Sequence, residues 1–521
     1  MNYLRNILAF VLLFSQTAFS TDFPTLDKKI GAFIRKYEFV ENSGISIAIL
    51  KANRPIYESS FGWSDRASKK PVTTQTLFSI GSCTKAFTSF ALAILQERGV
   101  LSLTTPVQNY LPAFSLENHE IAKQVTLEDM LSHRVGLPRH DFLWYFTDFK
   151  AARILEALPH LEMNKRPAMV FRKSMQYNNI MYLAAGKVLE RMSHTLWEDM
   201  VRQLIFTPLQ MNDSEFSYNP KPSVDFAKPY AGDKELKPHS LDNVAPAGGI
   251  YSSVDDLVDW VRMLNTNGLS PRGEQLLSVS ATQDLWKERS RTEVEGKLFR
   301  YGLGWTLSEV AGTTIIWHSG AIDGYMAHVS FEPIRGLGLI ILTNQNAASQ
   351  FASLMKHQDK TGKAHFLGLP YYIYELLLDP QHEPELPADK SGFEPPPFDL
   401  IPAPPQTDDK PDPNEDRTDP FGLWAYRGIY SHAGYGFAKV SQRGGKLFVK
   451  YYNLESILIQ VANDLYMGAV TSVPKMPFVA SFERAKGKVE ALKLSFESDV
   501  SPIVFQRITE SAPQCLRESQ L

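Results

Sequence analysis

Cysteine is nearly absent from this sequence. The chain has 521 residues and only two cysteines, Cys83 and Cys515. Two cysteines cannot supply a disulfide scaffold or a zinc site built from thiolates, so both classes are excluded. A bridge between Cys83 and Cys515 would tie the C-terminal tail over the most chemically suggestive part of the chain, and a small, buried, unpaired Cys83 is the simpler interpretation.

An excess of one charge and long apolar runs are also lacking. The chain carries 54 basic and 57 acidic residues, a formal net charge of -3, so its charge does not suggest a nucleic-acid partner. Beyond the N-terminus no apolar run approaches the length of a membrane span, and we expect no stable membrane anchor. The hydrophobic content of 44% and the chain length are those of a globular protein of roughly two to four domains.

The first residues have the form of a secretory signal. Arg5 precedes a short apolar stretch at residues 7–14, and residues 18–20 form a small-x-small cleavage site. The sequence therefore predicts a signal peptide at residues 1–20 and a secreted or periplasmic protein. No cysteine lies near the cleavage site, so we expect no lipid attachment there.

Proline is concentrated in one segment of the chain. Eleven prolines, with acidic residues between them, fall in residues 383–420. Such a composition is typical of a semi-extended linker with few contacts crossing it. We therefore predict a large domain at residues 21–382, a second domain at 421–510 and a tail at 511–521.

The two predicted domains differ in their periodicity. The first mixes helical patterns with apolar runs, of which three at residues 313–317, 325–331 and 337–342 predict an antiparallel meander. The second contains seven short β-runs separated by turn signals, which predict a small antiparallel barrel or sandwich. The expected fold class is α+β followed by an all-β domain.

Ser82 and Lys85 form the most informative local motif. The residues after Ser82 recur with helical periodicity up to Gly99, so Ser82 and Lys85 lie one turn apart on one face of a predicted helix. A serine at a helix start beside a lysine is a nucleophile next to a proton acceptor. The N-terminus of a helix also stabilises negative charge that develops there.

The same spacing occurs twice more, in Ser353 with Lys356 and in Ser472 with Lys475. Pro474 prevents a regular helical turn in the last of these, and the pair at Ser353 precedes a polar loop. Only Ser82 follows an apolar segment that leads into a largely apolar helix. Ser82 is therefore the favoured nucleophile.

Two later motifs complete a recognisable pattern. Tyr177-Asn178-Asn179 comes directly before a predicted helix, and His318-Ser319-Gly320 ends a predicted strand. Ser-x-x-Lys, Tyr-x-Asn and His-x-Gly in this order resemble the penicillin-recognising serine hydrolases, which comprise class C β-lactamases, D-Ala-D-Ala carboxypeptidases, D-aminopeptidases and related esterases. Further segments that resemble signatures of this family are residues 78–88, 126–138, 246–252 and 318–325.

The resemblance covers roughly residues 25–380 and implies a β-lactamase/transpeptidase-like fold, an antiparallel sheet flanked by helices with a helical subdomain. The C-terminal block, through the segment at residues 424–430 and through Tyr435-Gly436, resembles the lipocalin-like domain appended to some peptidases of this family.

The resemblance also implies a role for each matched catalytic position. Ser82 would be the acylated nucleophile, and Lys85 would take or relay its proton. Tyr177 would act with Lys85 as general base and later protonate the leaving group, provided that flanking cations lower the pKa of its phenol. Asn179 would hydrogen-bond to Lys85 and to the substrate amide.

The third motif would bind the substrate. The backbone N–H groups of Ser82 and Ala321 would form an oxyanion hole. His318 and Ser319 would line the cleft, and Gly320 would let the substrate lie close to the strand.

One departure from the family pattern is His318, which stands where β-lactamases usually have lysine. A histidine is mostly neutral at pH 7 and gains its charge below about pH 6.5. We therefore expect a peptidase or esterase rather than a strong β-lactamase, with a growing preference for carboxylate-bearing substrates in acid. Lys360-Thr361-Gly362 matches the lysine version literally, but it lies in a polar loop with no strand leading into it, and we reject it.

These observations predict a secreted serine hydrolase that forms an acyl-enzyme on Ser82 and cleaves a small peptide, amide or ester without a metal or an organic cofactor. A true β-lactamase or penicillin-binding carboxypeptidase is the alternative enzyme, and a non-catalytic binding protein on the same fold is the alternative outside enzymes. An oligomer is possible. A Ser-His-Asp triad using His133 or His140-Asp141 is disfavoured, because no Gly-x-Ser-x-Gly turn presents its serine.

Overall fold

The computed structural model describes residues 23–36, 44–164, 170–220, 224–294, 297–345, 356–358, 364–366, 369–379, 422–470, 476–495, 497 and 500–508. The predicted signal peptide, the proline-rich linker and the tail lie outside these residues. So do Ser353, Ser472 and Lys360-Thr361-Gly362.

A tight hairpin begins the central sheet. A mostly apolar run at residues 45–50 precedes Asn53, and a mixed run follows it. The structure places strand β1 at Ile45–Lys51 and strand β2 at Arg54–Phe61. Ala52 and Asn53 both have positive φ, +49° and +60°, as the two-residue turns that match the twist of a hairpin require.

Within the described residues the central sheet has eight antiparallel strands in the order β2-β1-β8-β7-β6-β5-β4-β3. The other six strands are β3 (Ser290–Val294), β4 (Lys297–Tyr301), β5 (Thr306–Val310), β6 (Thr313–Ile322), β7 (Tyr325–Glu332) and β8 (Leu337–Thr343). The predicted meander is confirmed, since β6, β7 and β8 are consecutive neighbours.

Helices cover both faces of this sheet. The principal helices of the domain are α1 (Phe23–Lys36), α2 (Thr84–Glu97), α3 (Leu127–Leu131), α4 (Asn179–Ser193), α5 (Val254–Asn265) and α6 (Leu369–Leu378). Alternate residues of β1 serve opposite faces: Ile47 packs with α1 and α6, whereas Ala48 packs with α2 and α5. The stacked rings of Phe87 and Trp260, with centroids 4.1 Å apart, join α2 to α5.

Shorter elements build the helical subdomain and its connections. The short helices include His119–Ala122, Phe142–Tyr145, Ala151–Ala157, Trp197–Val201, Arg202–Phe206, Thr207–Leu209, Ala245–Gly248 and Val279–Asp284. The two-stranded pairs are Trp63–Asp65 with Lys70–Pro71, Phe78–Ser79 with Tyr251–Ser252, Tyr230–Ala231 with Lys234–Glu235, and Lys356–Gln358 with Ala364–Phe366. The predicted α+β class is thus confirmed for the first domain.

The C-terminal domain is a closed antiparallel barrel of eight strands among the residues described here. They are β9 (Gly428–His432), β10 (Gly436–Arg443), β11 (Lys446–Tyr451), β12 (Leu454–Ala462), β13 (Leu465–Val470), β14 (Met476–Ala485), β15 (Lys488–Leu494) and β16 (Ile503–Arg507). Sequence reasoning predicted seven and missed β13. Gly468 interrupts the alternation of side chains along β13. The ring of Phe478 occupies the space that a side chain at Gly468 would need, since a Cβ there would lie 2.4 Å from that ring.

The barrel packs against the first domain through the segment that follows Pro138. The hydroxyl of Tyr435 bonds to Nδ1 of His140 at 2.6 Å, and the carboxylate of Glu497 accepts the backbone N–H of Phe142 at 2.8 Å. Tyr435 is almost fully buried in this contact. The expectation of few contacts between the domains is therefore wrong: linker composition reports on the linker alone and not on how the flanking domains dock.

No helix in the described ranges is long and apolar enough to cross a membrane. The same residues contain no group of three or more histidine, cysteine or acidic side chains placed to hold a metal ion.

Candidate active site

Ser82 lies in a tight turn that joins a short strand to helix α2. The turn Gly81–Cys83 is a single 3-10 turn, and it is anchored on one side where Ile80 N–H donates to the Ile250 carbonyl at 3.0 Å. On the other side the Cys83 thiol donates to the His318 carbonyl on β6 at 3.3 Å. Cys83 is a free, buried thiol with a structural contact, as the simpler sequence interpretation expects.

Lys85 occupies the first turn of α2 and is completely buried. Its Nζ lies 2.9 Å from Ser82 Oγ and 2.7 Å from the Ala247 carbonyl oxygen. Burial, aided by the nearby charge of Arg139, lowers the pKa of Lys85 well below its usual value. An uncharged amine donates to Ala247 while its lone pair accepts the Ser82 hydroxyl, so the geometry provides a proton acceptor for Ser82.

Tyr177 lies in the loop before α4, and its phenol is close enough to Ser82 for the two side chains to interact. Lys85 Nζ and Arg139 Cζ are each 4.9 Å from its ring centroid, and the ring of His133 packs at 4.1 Å. Burial raises the pKa of Tyr177 above its usual value despite Arg139. Tyr177 was expected to act as a base on condition that flanking cations lower the pKa of its phenol. Because the pKa is raised instead, Tyr177 stays protonated and is suited to donate a proton rather than to accept one.

Asn179 does not bond to Lys85 in this structure. It is the first residue of α4, whose N-cap is Asn178, and its side-chain amide donates to Asp141 Oδ1 at 3.0 Å. The expected bond between Asn179 and Lys85 is wrong in this state of the protein, because the helix start directs Asn179 toward the segment that holds Asp141.

His318 is buried rather than open to the cleft, with an exposed fraction of 4%. Its Nδ1 donates to the Ser319 carbonyl at 2.6 Å, so its Nε2 accepts the hydroxyl of Tyr301 at 2.8 Å. Burial lowers the pKa of His318 to about 3. The expectation that this ring gains a proton near pH 6.5 is therefore wrong, since both ring nitrogens are occupied in the neutral form.

Gly320 allows β6 to approach the Ser82 turn. A Cβ atom on Gly320 would lie 1.9 Å from the Ile80 carbonyl oxygen and 2.8 Å from the Ser82 nitrogen. The missing side chain therefore accommodates protein backbone and not the substrate that was expected there. A Cβ on Gly81, which has φ +47°, would likewise lie 2.9 Å from the Ala321 nitrogen.

The close approach brings together the two backbone amides expected to form an oxyanion hole. Ser82 and Ser319 are partly exposed and Ala321 is exposed, so this end of β6 borders solvent beside Ser82. The structure thus gathers Ser82, Lys85, Tyr177 and the strand motif in one place and leaves Asn179 bound to Asp141. Two N–H groups beside a serine are what an acyl-transfer site needs to stabilise an oxyanion.

Gly320→Ala is expected to displace the Ser82 turn. A Cβ inserted against backbone cannot be relieved by side-chain rotation, so we expect a loss of about 3 kcal/mol of unfolding free energy together with at least a tenfold loss of kcat/KM. Urea unfolding and steady-state kinetics measure the two effects. Gly445→Ala is the control: a Cβ there meets nothing within 4 Å, and its φ of +69° makes alanine cost about 1 kcal/mol of backbone strain, so this variant should lose some stability and keep the kcat/KM of wild type. An equal loss of kcat/KM in the two variants would contradict the contact.

Tyr177→Phe is expected to fold normally and to slow acylation by at least about 10²-fold, the scale of general acid–base catalysis. The ring keeps its contacts with His133 and Arg139, and only the hydroxyl beside Ser82 is lost. Stopped-flow acylation measures the effect. Tyr110→Phe removes a hydroxyl that bonds to Ser102 and should leave acylation unchanged; a Tyr177→Phe rate near that of wild type would reduce Tyr177 to a packing residue.

Sequence reasoning missed Arg139 and weighed Asp141 and His133 only as parts of a triad. Asp141 Oδ2 accepts from Arg139 Nε at 2.5 Å, and Asp141 Oδ1 accepts from the Trp144 indole at 2.7 Å. The available signal was the charged Arg139-His140-Asp141 between an apolar turn at residues 136–138 and the aromatic run that follows. Charged residues in such surroundings point to a site more often than to a solvated surface.

Comparison with known proteins supports this description. The family described as Beta-lactamase matches residues 36–360, and a domain of unknown function, DUF3471, matches residues 412–507. "Penicillin-binding protein 4*" of Bacillus subtilis is 26% identical over 360 residues, 64% of this chain and 72% of that protein. "Unguisins hydrolase ungD'" of Aspergillus campestris is 28% identical over 298 residues, 54% of this chain and only 55% of that protein.

The solved structure of the octameric penicillin-binding protein homologue from Pyrococcus abyssi is similar, with a TM-score of 0.53 and 21% identity over 92% of this chain and 99% of that one. The crystal structure of SurE has a TM-score of 0.51 with 18% identity, over 92% of this chain and 99% of that one. At these identities the likeness supports the β-lactamase/transpeptidase-like fold with its appended barrel, which confirms the predicted fold class. Because the family model matches more than half of the chain, this protein belongs to the Beta-lactamase family.

Proposed function

We propose that this protein is a secreted hydrolase that cleaves a small amide or ester through an acyl-enzyme on Ser82. The observation that carries the proposal is the 2.9 Å contact between Ser82 Oγ and the buried Nζ of Lys85. A buried lysine whose pKa is lowered well below its usual value by burial is suited to act as a base for the serine hydroxyl, and such a pair needs no metal or organic cofactor.

In the proposed reaction Lys85 takes the Ser82 proton as Oγ attacks the substrate carbonyl carbon. The carbonyl oxygen becomes an oxyanion between the N–H groups of Ser82 and Ala321. The bond to the leaving group then breaks, and the leaving group receives a proton from the Lys85 ammonium through the hydroxyl of Tyr177. Water attacks the acyl-enzyme by the same steps in reverse and returns the proton to Ser82.

A peptidase or esterase is favoured over a strong β-lactamase. His318 stays neutral and bonds to Tyr301, so this position offers no cation to a β-lactam carboxylate. β-Lactam hydrolysis and D,D-carboxypeptidase activity are the alternative enzyme functions, and a panel of substrates separates them. A non-catalytic binding protein would turn over none of the substrates in the panel.

We also propose a location, a domain organisation and an assembly state for the protein. The signal-like N-terminus supports export to the periplasm or the medium, and the composition supports domains at residues 21–382 and 421–510 joined by a linker. The octameric state of the Pyrococcus abyssi homologue makes an oligomer worth testing here. No nucleic-acid partner is proposed.

The test is a panel of β-lactams, short acyl esters and D- or L-aminoacyl amides, followed by intact-mass analysis of enzyme quenched during turnover. We expect turnover of esters or aminoacyl amides with an added acyl mass on the protein. Turnover without any covalent species, or no turnover of any class, would contradict the proposal.

A further inference from the structure

Among the residues that the structure describes, four side chains could place positive charge near Ser82: Lys85, His133, His318 and Arg139. Burial lowers the pKa of His133 well below its usual value. Lys85 is completely buried and hydrogen-bonded to Ala247, and His318 is buried and neutral with both nitrogens bonded. Neither is free to meet a charged substrate group. Arg139 differs, since 46% of its side chain is exposed.

Arg139 is held by one edge of its guanidinium. Nε of Arg139 donates to Asp141 Oδ2 at 2.5 Å. Among the described residues, this is the one hydrogen bond that the Arg139 side chain makes. Nη1 and Nη2 therefore remain available as donors. Arg139 Cζ lies 4.9 Å from the ring centroid of Tyr177. Lys85 Nζ lies 4.9 Å from the same ring and 2.9 Å from Ser82 Oγ, so Arg139 borders the group of side chains around Ser82.

Asp141 keeps this arginine in place. Its Oδ1 accepts from Asn179 at 3.0 Å and from the Trp144 indole at 2.7 Å, so the carboxylate is bonded on both oxygens and has a fixed direction. A guanidinium positioned in advance loses little freedom when it binds an anion.

The barrel supports the same segment from outside. The residues on either side of Asp141 are bonded to barrel residues, His140 to Tyr435 and the Phe142 N–H to Glu497. The segment that carries Arg139 is therefore clamped between the two domains and does not behave as a free loop.

We propose that Arg139 is a specificity-determining residue that binds a carboxylate carried by the substrate close to its scissile bond. This rests on the proposed acyl-enzyme chemistry and names its substrate class: amides or esters with a free carboxylate near the reacting carbonyl, as at a peptide C-terminus. The two Nη groups would hold the carboxylate side by side, a pairing that arginine makes well. His318 on β6 does not supply a positive charge for this carboxylate. Arg139, in the segment that follows Pro138, supplies it instead.

The test compares the p-nitrophenyl monoesters of succinic, glutaric and adipic acids with the same esters capped as methyl esters. The ratio of kcat/KM for acid over capped ester is the readout, because a general loss of alignment lowers both rates together and leaves the ratio unchanged. Wild type should prefer the acid for at least one spacer length. Arg139→Gln should reduce that ratio by roughly ten- to a hundredfold. Arg139→Lys keeps the positive charge but loses the paired Nη donors, so its ratio should lie between those of wild type and Arg139→Gln.

Arg300→Gln is the matched control, because Arg300 pairs with Glu309 at the sheet surface and should not change the ratio. Each variant is also labelled on Ser82 with a fluorophosphonate. Normal labelling with an unchanged ratio in Arg139→Gln would overturn the role of Arg139 and leave the proposed function standing. A wild-type enzyme that shows no preference for any acid ester would also overturn the role of Arg139. Absence of labelling at Ser82 in wild type would overturn both that role and the proposed function.

Discussion

Ser82→Ala is expected to lower kcat/KM by about four to six orders of magnitude and to abolish labelling by a fluorophosphonate or a penicillin-type probe. Removing the nucleophile from a group of residues that act together typically costs this much. The variant should keep the 3-10 turn, since the bonds of Ile80 and Cys83 to Ile250 and His318 do not involve the Ser82 side chain. Steady-state kinetics and gel fluorescence measure the two effects.

The other two Ser-x-x-Lys serines are the matched controls. Ser353→Ala and Ser472→Ala should each retain both turnover and labelling, because neither serine shows the sequence context of Ser82. Retained labelling in Ser82→Ala, or its loss in either control, would contradict the assignment of the nucleophile.

Lys85→Met is expected to lower the acylation rate by about 10³-fold, since methionine fills a similar volume but cannot take the Ser82 proton. The buried amine of wild type must be uncharged to act, and its pKa is lowered by burial. Wild-type kcat/KM should therefore fall as the pH is lowered through this pKa and level off above it. The variant should lack that acidic limb.

The stability of Lys85→Met should change in the opposite direction to its activity. Between the lowered folded pKa of Lys85 and its ordinary value, the unfolded chain binds more protons than the folded protein, so this group makes folding less favourable as the pH falls. Methionine removes that effect, and the free energy of unfolding at pH 7 should be no lower than in wild type. An active Lys85→Met variant with an unchanged pH profile would exclude Lys85 as the base.

Local patterns were enough to predict the relative placement of Ser82 and Lys85. Helical periodicity placed Ser82 and Lys85 one turn apart, and the 2.9 Å contact agrees with that spacing. The β-branched runs of the meander were similarly sufficient, because alternate residues of each strand must meet one face or the other of a buried sheet.

Features that depend on distant segments were not predictable in this way. The pKa of His318 is lowered by burial in the packed domain, where its ring bonds to Tyr301, 17 residues earlier in sequence. The direction of Asn179 depends on Asp141, 38 residues earlier. The role of Gly320 depends on contact with Ile80. None of these partners is marked by a spacing rule, since they meet only after the sheet and the helical subdomain have packed.

The docking of the barrel is the largest difference between expectation and structure. The proline-rich linker suggested an independent appendage, yet Tyr435 and Glu497 bond to residues on either side of Asp141. A protein truncated near Asp409 therefore exposes apolar surface that the barrel covers, including the face of Phe149 against Tyr452.

The central claim is that the substrate acyl group passes through Ser82. The most direct measurement is to quench wild-type enzyme in acid during turnover of a slowly deacylating ester, digest it, and locate the added mass by tandem mass spectrometry. The account predicts one acyl group on the peptide that contains Ser82, at Ser82 Oγ. An acyl group found on a different residue of the active enzyme would contradict it.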